Sequence, residues 1–248
     1  MACVIIDGAE KPASLPVHLF DLDGVITPTA IVHMRAWARM FSDFFASRGI
    51  TEPYTESDYF AHVDGRPRYD GVRALLASRG ISLPEGEDTD TADQPAGHET
   101  VRGLGNRKNE LVLAEIRENG VEPYPGSVAY LDSLPTSARL AVVSSSRNAE
   151  QVLRGAGLRD RFEIVVDGSV AAAAGLPGKP APDTFVHAAH ELGVEPAQAV
   201  VYEDALSGVA AGKAGGFGAV VGVDRGAGHE ALRDAGASIV VSDLQELA

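Results

Sequence analysis

Six short apolar runs recur along the chain, and they constrain its fold more than any other feature. They are Val17–Phe20, Leu140–Val143, Glu163–Val166, Ala199–Tyr202, Gly218–Val223 and Ser238–Val241. Each has strand length and most are flanked by turn residues. Helical patterns separate most of them. One follows Asn148, where Asn-Ala-Glu-Gln resembles a capping box, and ends near Gly155 or Gly157. Another follows "KPAPD" and stops at Gly193. Strands alternating with helices imply βαβ units, and hence a parallel sheet with helices on both faces.

Between the first and second runs the period changes. From about Val32 to Gly120 the pattern is helical, with almost no strand signal. "IVHMRAWARMFSDFFASRG", "YDGVRALLASRG" and "RKNELVLAEIRENG" each read as an amphipathic helix closed by glycine. The expected organisation is a core of residues 1–31 and 121–248, interrupted by a helical domain over 32–120. Hinges are expected near Thr29–His33 and Gly120–Pro125. The acidic, turn-rich stretch 84–100 reads as a mobile surface loop. A chain of 248 residues is long enough to bury a core and carry such an insertion.

Ligands of open parallel sheets bind outside the carboxyl ends of the strands. The first run ends in "DLDG", with Asp21 and Asp23, and the second in "SSSRN", Ser144 to Asn148. The third leads through a loop to "GKPAPD" and Lys179, and the fourth ends in "EDALSG", with Glu203 and Asp204. A carboxylate is costly to bury unless it is paired or bound to metal, so Asp21 and Asp23 demand partners. Mg²⁺ takes one or two carboxylates plus waters and phosphate oxygens, a role that Asp21 and Asp204 fit. Lys179 and the Ser144 hydroxyl suit a transferring phosphoryl group. One aspartate can then be the nucleophile and the other, two residues on, the general acid and base.

Taken singly these signals are weak. Asp-x-Asp is frequent in surface turns, a serine after a strand often caps a helix, and Lys-Pro is commonplace. The ordered set, each member closing an expected strand, is specific. "GLGNRK" and "GKAGGFG" fit neither a dinucleotide nor a P-loop spacing and read as turns.

The formal net charge of −14 disfavours nucleic acid and anionic membranes as partners. No apolar run approaches the roughly 20 residues of a membrane helix. The first sixteen residues lack the basic and apolar regions of a signal peptide. The single cysteine, Cys3, excludes an internal disulfide and suits a reducing cytoplasm. No large exposed apolar face is apparent, so a monomer is expected.

From Val17 onward the chain resembles the haloacid dehalogenase superfamily of phosphotransferases. "FDLDGVIT", "VVSSS", "GKPAPDTF" and "VYEDALSG" are similar to its four motifs in order, and the helical insertion is similar to its small α-helical cap. The implied fold is a Rossmann-like parallel sheet core with an inserted cap domain. Asp23 argues against the dehalogenase branch, which lacks that aspartate. Closer resemblance is to the β-phosphoglucomutase family, through "FDLDGVITPTAIVHMRAW", with Thr29, His33 and Trp37 at matching places, and through "GRPR", "RKN" and "SSSRN". Members interconvert β-glucose 1-phosphate and glucose 6-phosphate through β-glucose 1,6-bisphosphate.

The resemblance implies that Asp21 is the nucleophile and a Mg²⁺ ligand, and that Asp23 is the acid and base and binds metal through its carbonyl. Asp204 is implied as a metal ligand with Glu203 beside it. Ser144 and Lys179 would hold the transferring phosphate. Gly65 and Arg68, with Ser146, Arg147 and Asn148, would hold the other. Thr29 would contact substrate, and His33 and Lys108 would contact sugar or help position Asp23. Departures are Pro28 before Thr29, where an acidic residue is usual, Ala205 for a common serine, Arg147 for a common lysine, and a longer 84–100 loop. None removes a catalytic group. Two other functions are open from the sequence: a sugar-phosphate phosphatase with the same four motifs, and a non-catalytic binding module on the same fold. The complete acidic and lysine set speaks against the latter, and Arg68 with Lys108 favours the mutase.

Overall fold

The computed structural model describes residues 12–90 and 98–248. Strand β1, Val17–Phe20, is buried along its whole length, as a central strand covered on both faces must be. It pairs in parallel with β2, Arg139–Val143, on one side and with β4, Ala199–Glu203, on the other. Beyond β2 lies β3, Ile164–Val166; beyond β4 lie β5, Ala219–Val223, and β6, Ile239–Val241. The order is β3-β2-β1-β4-β5-β6, all parallel. Every expected run is a strand, with ends displaced by no more than one residue. The strand order reverses between β1 and β4, the place where open sheets of this kind bind ligands.

The chain divides into two compact units. One holds the described residues up to Thr29 together with Val121–Ala248; the other is Ala30–Gly120. The second unit contains helices and no strand among the described residues. Helix α1 covers Thr29–Ser47, α2 is the short turn Glu56–Asp58, α3 covers Arg68–Ser78 and α4 covers Val101–Asn119. A π-helical turn, Tyr59–Val63, extends α2. Trp37, Met40, Phe41, Phe44 and Phe45 of α1 pack with Val72, Leu75 and Leu76 of α3 and Leu104 of α4. These α1 residues sit at helical spacing, which explains why one face is buried.

Helix α4 begins six residues earlier than the "RKNELVLAEIRENG" pattern implies. Its first turns carry Gly103 and Gly105, poor helix formers that hide the start in the sequence. Packing explains Gly105: a Cβ there would lie 2.7 Å from the Tyr69 ring of α3. The Thr100 side chain caps the helix by accepting from the Gly103 N–H. The expected loop at 84–100 lies outside the described residues over 91–97, as does Cys3.

In the first unit, helices α5 to α10 cover Pro125–Ser133, Ala149–Gly155, Gly168–Ala173, Asp183–Glu191, Leu206–Ala214 and His229–Ala235. Alternation along β1 sorts its two faces. Val17 and Leu19 join Phe185, Ala188, Ala189 and Leu192 of α8. His18 and Phe20 turn the other way and stack on Tyr202, with Phe20 edge-on to Tyr130 of α5. The expected capping box at Asn148 is not formed. Asn148 is the residue before α6, but its side chain makes no capping hydrogen bond. Among the described residues, no helix is long and apolar enough to cross a membrane.

Candidate active site

Four strand ends of the core deliver charged or hydroxyl groups to one place. Asp21 leaves β1 with its N–H still donating to the Tyr202 carbonyl at 2.9 Å, so its backbone continues the ladder. Its carboxylate accepts from the Lys179 ammonium at 2.5 Å. The same ammonium donates to the Val143 carbonyl at the end of β2, at 3.1 Å, and lies 2.6 Å from Glu203 Oε1. Asp21, Lys179, Glu203 and Asp204 are all at least nine-tenths buried. One ammonium therefore serves two buried carboxylates, with a third at hand.

Burial pushes the Asp21 carboxyl well above its ordinary pKa, and the neighbouring carboxylates Glu203 and Asp23 push the same way; the Lys179 charge pulls against them. Burial also works against the Lys179 ammonium, but Asp21 and Glu203 outweigh it and hold the pKa above the usual lysine value. The charged form of Lys179 is thus favoured, and more than one carboxylate shares it. Asp21, Glu203 and Asp204 each place a carboxylate oxygen within 4.8 Å of the others. Hard oxygen donors with surplus negative charge fit a divalent cation. Glu203 is held in place by its second oxygen, which accepts from the Ala205 N–H at 3.0 Å.

Asp23 lies in the tight turn that follows β1. Gly24, at φ +92°, makes that turn, and its N–H donates to the Thr27 carbonyl at 2.7 Å. A side chain could not sit there. An added Cβ would lie 1.9 Å from Asp204 Oδ2, so the turn rests directly on the end of β4. The Asp23 carboxylate accepts a short hydrogen bond from the Thr29 hydroxyl, which also pairs with the Thr27 hydroxyl at 2.7 Å. The Ser144 hydroxyl faces the other Asp23 oxygen at 3.4 Å. Thr29, expected near substrate, thus holds Asp23.

Ser146 and Asn148 lie in the loop after β2. The Ser146 N–H donates to the Ser144 hydroxyl at 3.0 Å, and the Asn148 N–H to the Ser146 hydroxyl at 3.2 Å. Arg147 in the same loop packs near Gly168, where a Cβ would lie 3.1 Å from its Cγ. The remaining expected residues form a second group, all in the helical unit. The buried Lys108 ammonium donates to His33 Nδ1 at 2.8 Å and sits 4.9 Å above the Trp37 ring. Arg68 opens α3 and donates to Asn109 Oδ1 at 2.7 Å. Gly65, at φ +68°, makes the turn before it.

Sequence reasoning missed Thr27, whose hydroxyl completes the support of Asp23, and Arg225, which follows β5. Its guanidinium donates to the Gly24 carbonyl at 2.9 Å. Applying the strand-end rule to the fifth run, which closes in Asp224-Arg225, is the signal that finds it.

The sheet order, the acidic cluster at the reversal of that order and the inserted helical unit define a class. The haloacid dehalogenase-like hydrolase family matches residues 17–216, and the chain is an enzyme belonging to that family. Within it the chain is 47% identical, over 95% of its length and 92% of theirs, to proteins named β-phosphoglucomutase in Mycobacterium tuberculosis and Mycobacterium bovis. The motif resemblance to that family is upheld. A fructose-1-phosphate phosphatase of Escherichia coli is 30% identical over 82% of this chain and 93% of its own. Among solved structures, β-phosphoglucomutase from Clostridium difficile superposes with a TM-score of 0.74 at 24% identity, covering 94% of this chain and 93% of that one, and shares the fold.

Proposed function

We propose that the chain is a Mg²⁺-dependent β-phosphoglucomutase acting through an aspartyl-phosphate. The observation that carries this reading is the pair of aspartates at the end of β1 with different partners. Asp21 faces the Lys179 ammonium, whose charge favours the anionic, nucleophilic carboxylate against the opposing effect of burial. Asp23 faces hydroxyls, which suit a group that must gain and lose a proton. Asp21 attacks phosphorus as the bond from phosphorus to the sugar oxygen breaks, and Asp23 gives its proton to that oxygen. The reverse step uses Asp23 as base toward the 6-hydroxyl of β-glucose 1-phosphate, which takes the phosphoryl group from Asp21 and gives the bisphosphate, whose 1-phosphoryl group Asp21 then takes to leave glucose 6-phosphate. Lys179 and Ser144 hold the equatorial oxygens. Asp21, Asp204 and the Asp23 carbonyl would hold Mg²⁺, which supplies charge to stabilise the phosphoryl group in flight.

In the helical unit, Arg68 is assigned to the second phosphate and His33 with Lys108 to the sugar. Ser146, Arg147 and Asn148 of the core loop are assigned to that phosphate as well, and Gly65 to the turn that presents Arg68. Supporting this choice are the 47% identity to β-phosphoglucomutases and the match of "GRPR" and "RKN". The phosphatase reading is favoured by one specific likeness, the fructose-1-phosphate phosphatase. A coupled assay separates the two. β-Glucose 1-phosphate, Mg²⁺ and a trace of the bisphosphate should yield glucose 6-phosphate in large excess over free phosphate. Free phosphate as the main product overturns the mutase. EDTA should stop turnover and Mg²⁺ restore it; full turnover by a metal-stripped sample refutes the metal assignment.

A further inference from the structure

We propose that Arg225 is a positioning residue for the reaction, acting on Asp23 through the turn that carries it. It lies just after β5, on a strand that contributes no other group to the reaction proposed above. Its guanidinium is spread over three acceptors. Nε donates to the Gly24 carbonyl at 2.9 Å, one terminal nitrogen to the Ser242 carbonyl at 3.0 Å, and the other to Asp243 Oδ2 at 3.2 Å. The guanidinium also stacks 3.9 Å from the centre of the Tyr124 ring. A planar fork with this many fixed partners has little freedom left, which a lysine could not reproduce.

What the fork grips is decisive. Gly24 is the residue after Asp23, and its Cα side already abuts Asp204 with no room for a methyl group. Its carbonyl would otherwise be free to rotate with the Gly24 peptide, and glycine at positive φ offers the least resistance to that rotation. Arg225 closes this freedom. The other side of the turn is held by α5. The Tyr124 N–H donates to the Ile26 carbonyl at 2.9 Å, and the Ser127 hydroxyl to the Val25 carbonyl at 2.6 Å. Tyr124 is therefore both a support of the turn and the platform under Arg225. Residues 24–26 are clamped at three successive carbonyls, and Asp23 is set by what remains.

The consequence follows from the chemistry of the leaving group and rests on the reading of Asp23 as acid and base. Expelling a sugar alkoxide needs a proton from Asp23. Expelling 4-nitrophenolate does not, because that anion is stabilised by its own ring. Loosening the turn should harm the first reaction and largely spare release of 4-nitrophenolate in a single turnover, the half-reaction that precedes attack of water, for which Asp23 again serves as base. A misplacement of about 1 Å costs up to about a hundredfold in reactions of this kind. Arg225→Met should lower kcat with β-glucose 1-phosphate by about tenfold or more, with KM within about threefold, and should lower single-turnover release of 4-nitrophenolate from 4-nitrophenyl phosphate by less than about threefold. Amide hydrogen exchange over Leu22–Thr27 should quicken while the strands keep their protection. Arg225→Lys, which keeps the charge and one donor, should give the same pattern to a smaller degree, and it carries the test should Arg225→Met fail to fold.

Asp23→Asn is measured alongside. If it spares the sugar phosphate reaction, the acid–base reading itself falls and takes this proposal with it. If Asp23→Asn is selective but the Arg225 variants slow both substrates equally, or leave exchange over 22–27 unchanged, the proposal alone is overturned and Arg225 is a structural brace.

Discussion

The two groups of functional residues are built in opposite ways. In the core, Asp21, Lys179, Glu203 and Asp204 arrive from three strand ends and are all buried. Each is expensive without the others, because a buried charge that loses its partner is stranded. In the helical unit, Lys108, His33, Arg68 and Asn109 project from helices whose other faces supply an aromatic core. Their contacts include a hydrogen bond from Arg68 to Asn109 and one from Lys108 to His33, each to a neighbour on a different helix. The core site is a cluster of mutually dependent charges; the helical group is carried on helices with a core of their own. On the function proposed above, chemistry falls to the first kind of construction and substrate choice to the second.

The sharpest way to break that contrast is Asp21→Asn. Loss of a covalent nucleophile should remove mutase and phosphatase activity together by at least ~10³-fold. Thermal unfolding should confirm that the fold persists. Turnover within tenfold of wild type would remove Asp21 from the role. Next comes Arg68→Ala in the helical unit. It should lower glucose 6-phosphate formation by roughly 10²-fold, the scale of a charged contact worth about 3 kcal/mol. Hydrolysis of a small phosphate ester should change by less than about tenfold on the same scale. Equal losses would show that the helical group is not separable from the chemistry, and no loss in either would make Arg68 a surface residue.

The smallest expected effect sharpens the comparison inside the core itself. Below the charged cluster, the same strand carries a neutral polar chain: His18 Nδ1 is 2.8 Å from the Tyr202 hydroxyl, which is 2.6 Å from that of Tyr130. Burial lowers the His18 pKa from 6.5 to about 4, against a smaller opposing pull from a hydrogen bond with Leu15. Between those values the unfolded chain binds a proton that the folded chain refuses. Stability from this residue is therefore complete above pH 6.5 and falls as the pH drops toward about 4. By about pH 5 the loss should be ~2 kcal/mol. His18→Phe should flatten that part of the pH profile in urea unfolding. An unchanged slope would show that His18 is protonated in the fold.

The contrast also governs what was legible in the sequence. The six strands were visible because buried parallel strands are continuous apolar runs, and Asp21, Asp23, Lys179 and Asp204 were visible because the strand-end rule says where to look. The helical group had no such rule. His33 and Arg68 were found only through the motif resemblance, since a histidine or arginine on a helix is ordinary by itself. Where local signals competed with packing, packing decided. The start of α4 was hidden by Gly103 and Gly105, which propensity disfavours; the Tyr69 contact requires the second of them. The turn Glu56–Val63, three α-helical residues running into a π-turn, is too short to leave a period. Thr27 was missed because its role is a hydroxyl contact with Thr29 that the turn creates, and Arg225 because it acts on a backbone carbonyl brought close by the fold.

The strand order has a further consequence, for a chain still being made. β1 lies at the centre of the sheet, yet one of its two neighbours, β4, comes late: 184 residues separate His18 from its partner Tyr202. A ribosome adding about 5–20 residues per second needs roughly ten to forty seconds to bridge that gap. Through that interval β1 has no β4 on one side, and its other neighbour, β2, comes only at residue 139. The helical unit, residues 30–120, is synthesised well before then and is compact in itself, and the central sheet must wait for the last fifth of the chain. The nascent sheet edge is then the part of this protein most in need of a chaperone, and slow translation after residue 143 would lengthen its exposure.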